Sequence, residues 1–558
     1  MNLSHPFLTV FGVFALVMLA ACTGSGPAPS VWVLHNARIY TVDAGQPTAE
    51  AMAVSGDKIA MVGSEADVLA AYPDAPRVDA GGQTVIPGLI DAHAHLMGQG
   101  TSMMEVDLVG TASKAEILDR MKAFAATLSE GDWLTGRGWD QNDWPKHDFP
   151  TRADLDEAFP DRPVWVRRID GHAAWANTAA LRVVGLDSLR AMADPEGGSI
   201  VHNASGEPTG VFIDAAMGII GRHQPVWADE QYARALQLAI GETSKYGLTG
   251  IHDAGVSEEV LELYKQAIDA GDFNLRVYAM VGGRGAAFDK YCNRPLLHYG
   301  DKLTVRSAKF YADGALGSRG AAMLADYSDD PGNKGLLRET PEHFTNDVRA
   351  ALACGYQVNT HAIGDRGNRM VLDGYEAAGI TPEGRHRDEH AQVVALSDIP
   401  RFKTLGVIAS MQPTHATSDM YWAEDRVGPD RIRGAYAWRS FLDQGTPLAF
   451  GSDFPVEKVN PLLGFYAAVT RQDAKGWPEG GWYPEQRLTR PEALHAFTLG
   501  AAYAGFDEDR LGSLVPGKFA DFDILSRDIM TIPAPEILTT HVVATYLGGK
   551  AVYERTDD

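Results

Sequence analysis

Cysteine is scarce in this chain: Cys22, Cys292 and Cys354 are the only three. Only Cys292 and Cys354 lie beyond the N-terminal segment, too few for a disulfide framework. They could pair, but Cys354 sits in RAALACGYQVNTHA, which reads as a helix end, a glycine and a strand. The expectation for Cys354 is therefore a buried free thiol. Positive charge is also short, with 49 Lys and Arg against 73 Asp and Glu and a formal net charge of -24. That deficit argues against nucleic acid as a partner and against adhesion to anionic lipid by charge alone. Long apolar runs are lacking past the first residues, so no later segment approaches membrane-spanning length.

The one long apolar run, FLTVFGVFALVMLAAC, is followed at once by TGSGPAPS. Leu19-Ala20-Ala21-Cys22 places small residues before a cysteine, as at a processing site, and resembles a bacterial lipobox. By that resemblance residues 1–21 are a lipoprotein-like signal peptide, Cys22 is lipidated, and residues 22–30 form a flexible tether. The leader MNLSH carries no Lys or Arg, and an uncleaved anchor is the competing reading. Thr23 resembles the residue that usually accompanies sorting to the outer membrane. The expected location is export, with an acyl anchor in the bacterial outer membrane and the folded chain facing the periplasm.

Residues 31–86 and 507–558 read as short β-branched strands broken by glycine turns. Neither end holds enough apolar surface for a sheet domain alone. Together they predict one small β-sandwich, with residues 87–506 inserted between its halves. That middle segment alternates strand-like runs with helical patterns, as in DEQYARALQLAIGETSKYGLTGIHDAG. The fold class expected is α/β, a (β/α)8 TIM-like barrel. Residues from about 110 to 230 exceed what a barrel needs and read as a substrate-covering insertion, with an interface role as the competitor.

Six residues stand at or just past apolar runs, where strands would end: His93 and His95 in GLIDAHAHL, Lys309 in AKFYADG, His361 in VNTHAIGD, His390 in RDEHAQ and Asp453 in FGSDFPVE. A barrel gathers the C-terminal ends of its strands around one pocket, so residues far apart in sequence can meet on metal ions. His93 and His95 are alternate residues, so on an extended strand both imidazoles share one face.

These motifs, with GRGWDQ, RRIDGHAAWANTAAL, KFYADGALGSRGAAM, THAIGDRGNRMVLDGYE and NPLLGFYAAVTRQ, resemble the metal-dependent amidohydrolase superfamily, in a branch similar to N-substituted formamide deformylase. The resemblance implies metal ligation by His93, His95, Lys309, His361, His390 and Asp453. It implies that Lys309 is carbamylated and bridges two divalent ions. Zinc suits these donors first, and manganese, cobalt or iron would use the same set. A lysine takes up carbon dioxide only as the neutral amine, which metals and a dry pocket favour. An ion pair of Lys309 with Asp313, or a single-metal site with unmodified lysine, stays open.

Asp453 could ligate metal and carry a proton from the attacking water to the leaving nitrogen. Its bland alternative is a turn cap. The resemblance, more than spacing, makes His172 the candidate for polarising the carbonyl or contacting substrate, against a simple helix-start histidine. Trp139, Asp140 and Gln141 are expected as an aromatic and polar lid over the pocket, with simple packing as the competing reading of the tryptophan. Asp313 and Arg319 are expected at the substrate, with Arg319 forking onto a substrate carboxylate or holding the loop through Asp313. His252 and Asp365 are expected just behind the ligands, Asp365 pairing with Arg366. Glu389 should point away from the pocket if RDEH is extended.

The function expected is hydrolysis of a C–N bond, amide or N-substituted formamide, in a small molecule. A dipeptidase or N-acyl amino acid hydrolase would need a cationic clamp, Arg319 or Arg168. A non-catalytic, lipid-tethered binding protein would need a broken ligand position. The expected partners are the small-molecule substrate and, through the acyl anchor, a lipid bilayer. A homodimer is compatible with the sequence.

Overall fold

The computed structural model describes residues 30–556. Cys22, the expected leader and tether residues 22–29 lie outside the described residues. Eight strands of a nine-stranded sheet form the barrel: β1 Leu89–Ala94, β2 Leu248–Val256, β3 Arg276–Gly282, β4 Leu303–Tyr311, β5 Gln357–Ala362, β6 Arg387–His390, β7 Ile408–Met411 and β8 Leu448–Phe450, while Leu296–Tyr299 pairs antiparallel with β4. Each pairs in parallel with the next in chain order. Apart from Gly255, Arg306 and the last residues of β3 and β4, these strands are buried throughout, without in–out alternation, because side chains fill the inside and helices cover the outside.

The helix Glu258–Ala270 between β2 and β3 shows how the covering layer is punctuated. The Ser257 hydroxyl accepts from the amide of Val260, Glu258 and Glu259 complement the helix dipole, and Gly271 ends the helix at φ 84°. Leu261 and Tyr264 are its buried residues.

The ring nearly closes where β8 returns to β1. The amide of Asp453 donates to the carbonyl of His93 at 2.8 Å. Buried Asp91 accepts from the amides of His93, at 3.1 Å, and Ser452, at 3.0 Å, and from the Ser452 hydroxyl at 2.6 Å. Gly451 permits this approach, since a Cβ there would lie 2.5 Å from the amide nitrogen of His93. The closure places the first and last candidate ligands side by side.

Strands from both chain ends build the expected sandwich. Phe522–Leu525 pairs antiparallel with Thr84–Pro87, matching Asp523 to Ile86, inside a six-stranded sheet. A four-stranded sheet from the N-terminal segment packs on it. Leu34, Met52 and Val54 meet Val85, Phe522 and Tyr546 in one apolar cluster. Arg276 of β3 ties barrel to sandwich through a bidentate pair with Asp521, at 2.6 and 2.9 Å. The segment between β1 and β2 carries another six-stranded sheet, in the order 198–202, 208–214, 173–176, 164–168, 134–139, 106–107. Among the described residues no helix is long and apolar enough to cross a membrane.

Cys354 is not a free thiol: it is disulfide-bonded to Cys292. Each cysteine caps the C-terminus of a helix, Ala286–Tyr291 and Pro341–Ala353, and the two helix ends abut with the Cα atoms 4.6 Å apart. Sequence spacing carries no sign of that proximity. Replacing both cysteines by alanine is expected to lower stability by about 2–4 kcal/mol. Thermal unfolding under non-reducing conditions, against the unmodified chain, measures it.

Candidate metal centre

The six strand-end candidates converge. His95 Nε2 lies 3.2 Å and His93 Nε2 3.7 Å from Oδ1 of Asp453. Lys309 Nζ lies 3.1 Å from His93 Nε2. The ring of His390 sits 4.8 Å from that of His93 and 4.6 Å from that of His361, centroid to centroid. Two of the six depart from strand geometry to get there. His390 has φ 80° and Asp453 φ 60°, left-handed conformations uncommon outside glycine and suggestive of a functional constraint.

The conformation of His390 explains the first correction. Glu389 does not point away. In β6 the side chains of Arg387 and Glu389 share the interior face, and the left-handed turn at His390 swings the next side chain inward as well. Glu389 Oε2 accepts from His93 Nδ1 at 2.5 Å, and Oε1 lies 2.7 Å from Nε of Arg387. Burial opposes charge on this carboxylate, but Arg387 and His93 outweigh it and hold Glu389 well below the usual carboxylate range.

Every imidazole of the set has one nitrogen committed. His93 gives Nδ1 to Glu389, His95 gives Nδ1 to the carbonyl of Ala254 at 2.9 Å, and His390 gives Nδ1 to Oε1 of Gln412 at 2.8 Å. His361 gives Nε2 to the carbonyl of Gly314 at 3.3 Å. A donor fixed on one nitrogen leaves the other as a lone pair, the form that ligates metal. Burial, reinforced by neighbouring cations, lowers the pKa of His93 to about 4, and those of His361 and His390 fall well below the ordinary value. The donors of His93, His95 and Asp453 lie within 4.8 Å of one another, as do those of His390, His415 and Asp453. Oδ1 of Asp453 is buried without a hydrogen-bond partner. Imidazoles pre-oriented in this way around a buried carboxylate oxygen fit divalent cations.

His172 reaches this centre from the inserted sheet, its ring 5.0 Å from that of His361. Asp214 holds it, Oδ1 to Nδ1 at 2.5 Å. Burial disfavours charge on His172, yet Asp214 outweighs it and raises the pKa. His252 lies within the barrel, its Nδ1 2.8 Å from Nη1 of Arg387, and so touches the centre only through Arg387 and Glu389.

The other expected positions are corrected. Trp139 is no lid: it is fully buried among Trp144, Phe149 and Trp175, and its indole N–H donates to the carbonyl of Val166. Asp140 and Gln141 grip Arg168 instead of covering substrate. Asp313 is wholly buried and accepts from the amides of Ala322, Ile363 and Gly364 at 2.8–2.9 Å, so it orders the loop after β4 and offers substrate no surface. Arg319 pairs with Asp329 at 3.0 Å, not with Asp313. Asp365 accepts from the amide of Leu324 at 2.7 Å in place of an ion pair with Arg366.

Sequence reasoning passed over Asp214, His415 and Glu457. His415 Nε2 lies 3.4 Å from Oδ2 of Asp453, and its Nδ1 lies 3.0 Å from Oε1 of Glu457. Burial opposes its charge, but Asp453 and Glu457 prevail and push its pKa up to about 10. The signal was present, since His415 follows the apolar run VIASM just as the other candidates follow theirs.

The sequence profile of the amidohydrolase family matches residues 77–553. The chain belongs to the amidohydrolase family. The protein LONG AFTER FAR-RED 3 of Arabidopsis thaliana is 36% identical over 542 residues, 93% of this chain and 91% of its own length. The N-substituted formamide deformylase of Arthrobacter pascens is 30% identical over 551 residues, 94% of this chain and 98% of its own. A solved structure, an uncharacterized metal-dependent hydrolase from Pyrococcus horikoshii OT3, superposes with a TM-score of 0.72 at 28% identity, covering 90% of this chain and 99% of that one. Family, barrel and ligand clusters together make this amidohydrolase a metal-dependent enzyme hydrolysing a carbon–nitrogen bond.

Proposed function

We propose that this amidohydrolase cleaves neutral small-molecule amides of the N-substituted formamide type. The observation that carries the choice is the state of Arg168 and Arg319, the two guanidiniums that the sequence offers as clamps for a substrate carboxylate. Arg168 is spent on Gln141 through Nε at 2.8 Å, on Asp170 through Nη1 at 2.6 Å and on Asp140 through Nη2. Arg319 is spent on Asp329. A dipeptide or N-acyl amino acid would find neither free, which favours an uncharged amide. The 30% identity to a formamide deformylase supports the same substrate class.

His93, His95, His361, His390 and Asp453 would hold two divalent ions, zinc first, with Lys309 as a carbamate between them. Bound there, such ions polarise a carbonyl and lower the pKa of water. Asp453 takes the proton of the attacking water and delivers it to the leaving nitrogen. His172, steadied by Asp214, donates to the carbonyl oxygen as charge builds on it. A panel of N-substituted formamides, acetanilides, esters and dipeptides, assayed with zinc-loaded enzyme and amine release as readout, tests the reading. Faster turnover of dipeptides than of any formamide would overturn it.

We further infer export and acylation at Cys22. The LAAC motif supports it, and so does the disulfide Cys292–Cys354, which suits an oxidising compartment. Cys22→Ser is expected to release the enzyme from membranes, because several acyl chains anchor firmly where one binds marginally. Fractionation with acyl-lipid labelling checks it. A wild-type protein that carries no lipid sinks the inference.

A further inference from the structure

The two oxygens of Asp453 face different partners. Oδ1 looks toward His95 and His93, at 3.2 and 3.7 Å. Oδ2 looks toward Nε2 of His415 at 3.4 Å. His415 belongs to the helix Pro413–Asp419 that follows β7, and its buried ring lies nearly parallel to that of His390, 6.0 Å away at 18°. Behind it stands Glu457, four residues past Asp453. One oxygen of Glu457, Oε1, lies 3.0 Å from His415 Nδ1 and accepts from the Ser418 hydroxyl at 2.5 Å. Asp453, His415 and Glu457 thus form a chain that leaves the β8 end, crosses the β7 helix and returns.

An imidazole held at Nδ1 by a carboxylate presents Nε2 in one direction. Here that direction is Oδ2 of the proposed proton carrier. A free carboxylate on a left-handed backbone residue could rotate about its χ2 torsion; an imidazole held 3.4 Å from one oxygen restrains that rotation. We propose that His415 and Glu457 are positioning residues that fix the Asp453 carboxylate, keeping Oδ1 at the imidazole pair of β1 while Oδ2 stays aligned for proton transfer. The assignment rests on Asp453 as the proton carrier of the proposed reaction. It adds the group that orients it.

The test is a double-mutant cycle in the zinc-loaded full chain, using whichever amide the wild type hydrolyses. His415→Asn and Glu457→Ala should each lower kcat by about 10–100-fold, the cost of roughly 1 Å of misplacement, with KM within about threefold. Zinc content should equal that of wild type. Glu457→Gln should keep kcat within about threefold of wild type, because its amide oxygen still accepts from Nδ1–H. The double variant should be no slower than His415→Asn alone, since the two residues act as one unit. Loss of zinc would mean that His415 is a ligand. A raised KM at constant kcat would mean substrate contact, and additive losses would mean independence. Any of these overturns the proposal.

A second readout does not need turnover. In protein labelled with 15N-histidine, one imidazole Nδ1–H signal should vanish in His415→Asn and move in Glu457→Ala. If no amide is hydrolysed by the wild type, the proposed reaction fails, and this signal still reports on the link. A His415 signal indifferent to Glu457→Ala removes the positioning pair.

Discussion

Lys309→Ala is expected to cost both metal and rate: zinc content below half of wild type, and kcat/KM down by at least ~10³-fold, about 4 kcal/mol of transition-state stabilisation. The lysine is almost wholly buried, with Nζ 3.1 Å from the nitrogen that His93 leaves uncommitted. An ammonium there would repel a cation, whereas a carbamate would bring anionic oxygens to the gap among His93, His361 and His390. Alanine supplies neither. Short carboxylic acids added to the variant should restore part of the activity by entering the space. Elemental analysis and steady-state kinetics on the same preparations check the expectation. Full zinc and full rate in Lys309→Ala would falsify the bridging assignment.

The barrel could be read from sequence because its rule is local and repeats: an apolar strand, then a chemically active residue at its end. His93, His361 and Asp453 each follow that rule, and parallel pairing brings them together without further information. The sandwich was readable for a related reason, since strands with one apolar face at both chain ends need a partner sheet. What escaped depends on contacts between distant loops. Trp139 looked like a lid because a long insertion gives no sign of its own core, and the inserted sheet buries it. Arg319 and Asp313 are only six residues apart in sequence, yet the loop sends Arg319 out to Asp329 and turns Asp313 in toward three amides. Glu389 was misjudged because strict alternation was assumed through His390, where the backbone turns left-handed. The cysteine pair needed two helix ends to coincide, a fact of tertiary structure alone.

Asp453→Asn should leave the barrel folded and lower kcat by ~10²–10⁴-fold, the range general acid–base catalysis contributes. Asparagine matches the carboxylate in shape and can still meet His415 at 3.4 Å and the β1 histidines on the other side. It cannot accept the proton of the attacking water, so the loss falls on a step made in the transition state and appears in kcat more than in KM. The backbone amide of residue 453 would keep its bond to the carbonyl of His93, which is why closure of the barrel should survive. Metal content separates the two duties of the residue. A large fall in kcat with zinc retained isolates proton transfer. A parallel fall in zinc shows that Oδ1 also binds the cation, and zinc titration should then recover occupancy without recovering rate. Wild-type kcat at full occupancy would remove Asp453 from the chemistry, and with it the reason for the carboxylate that β8 delivers opposite His93.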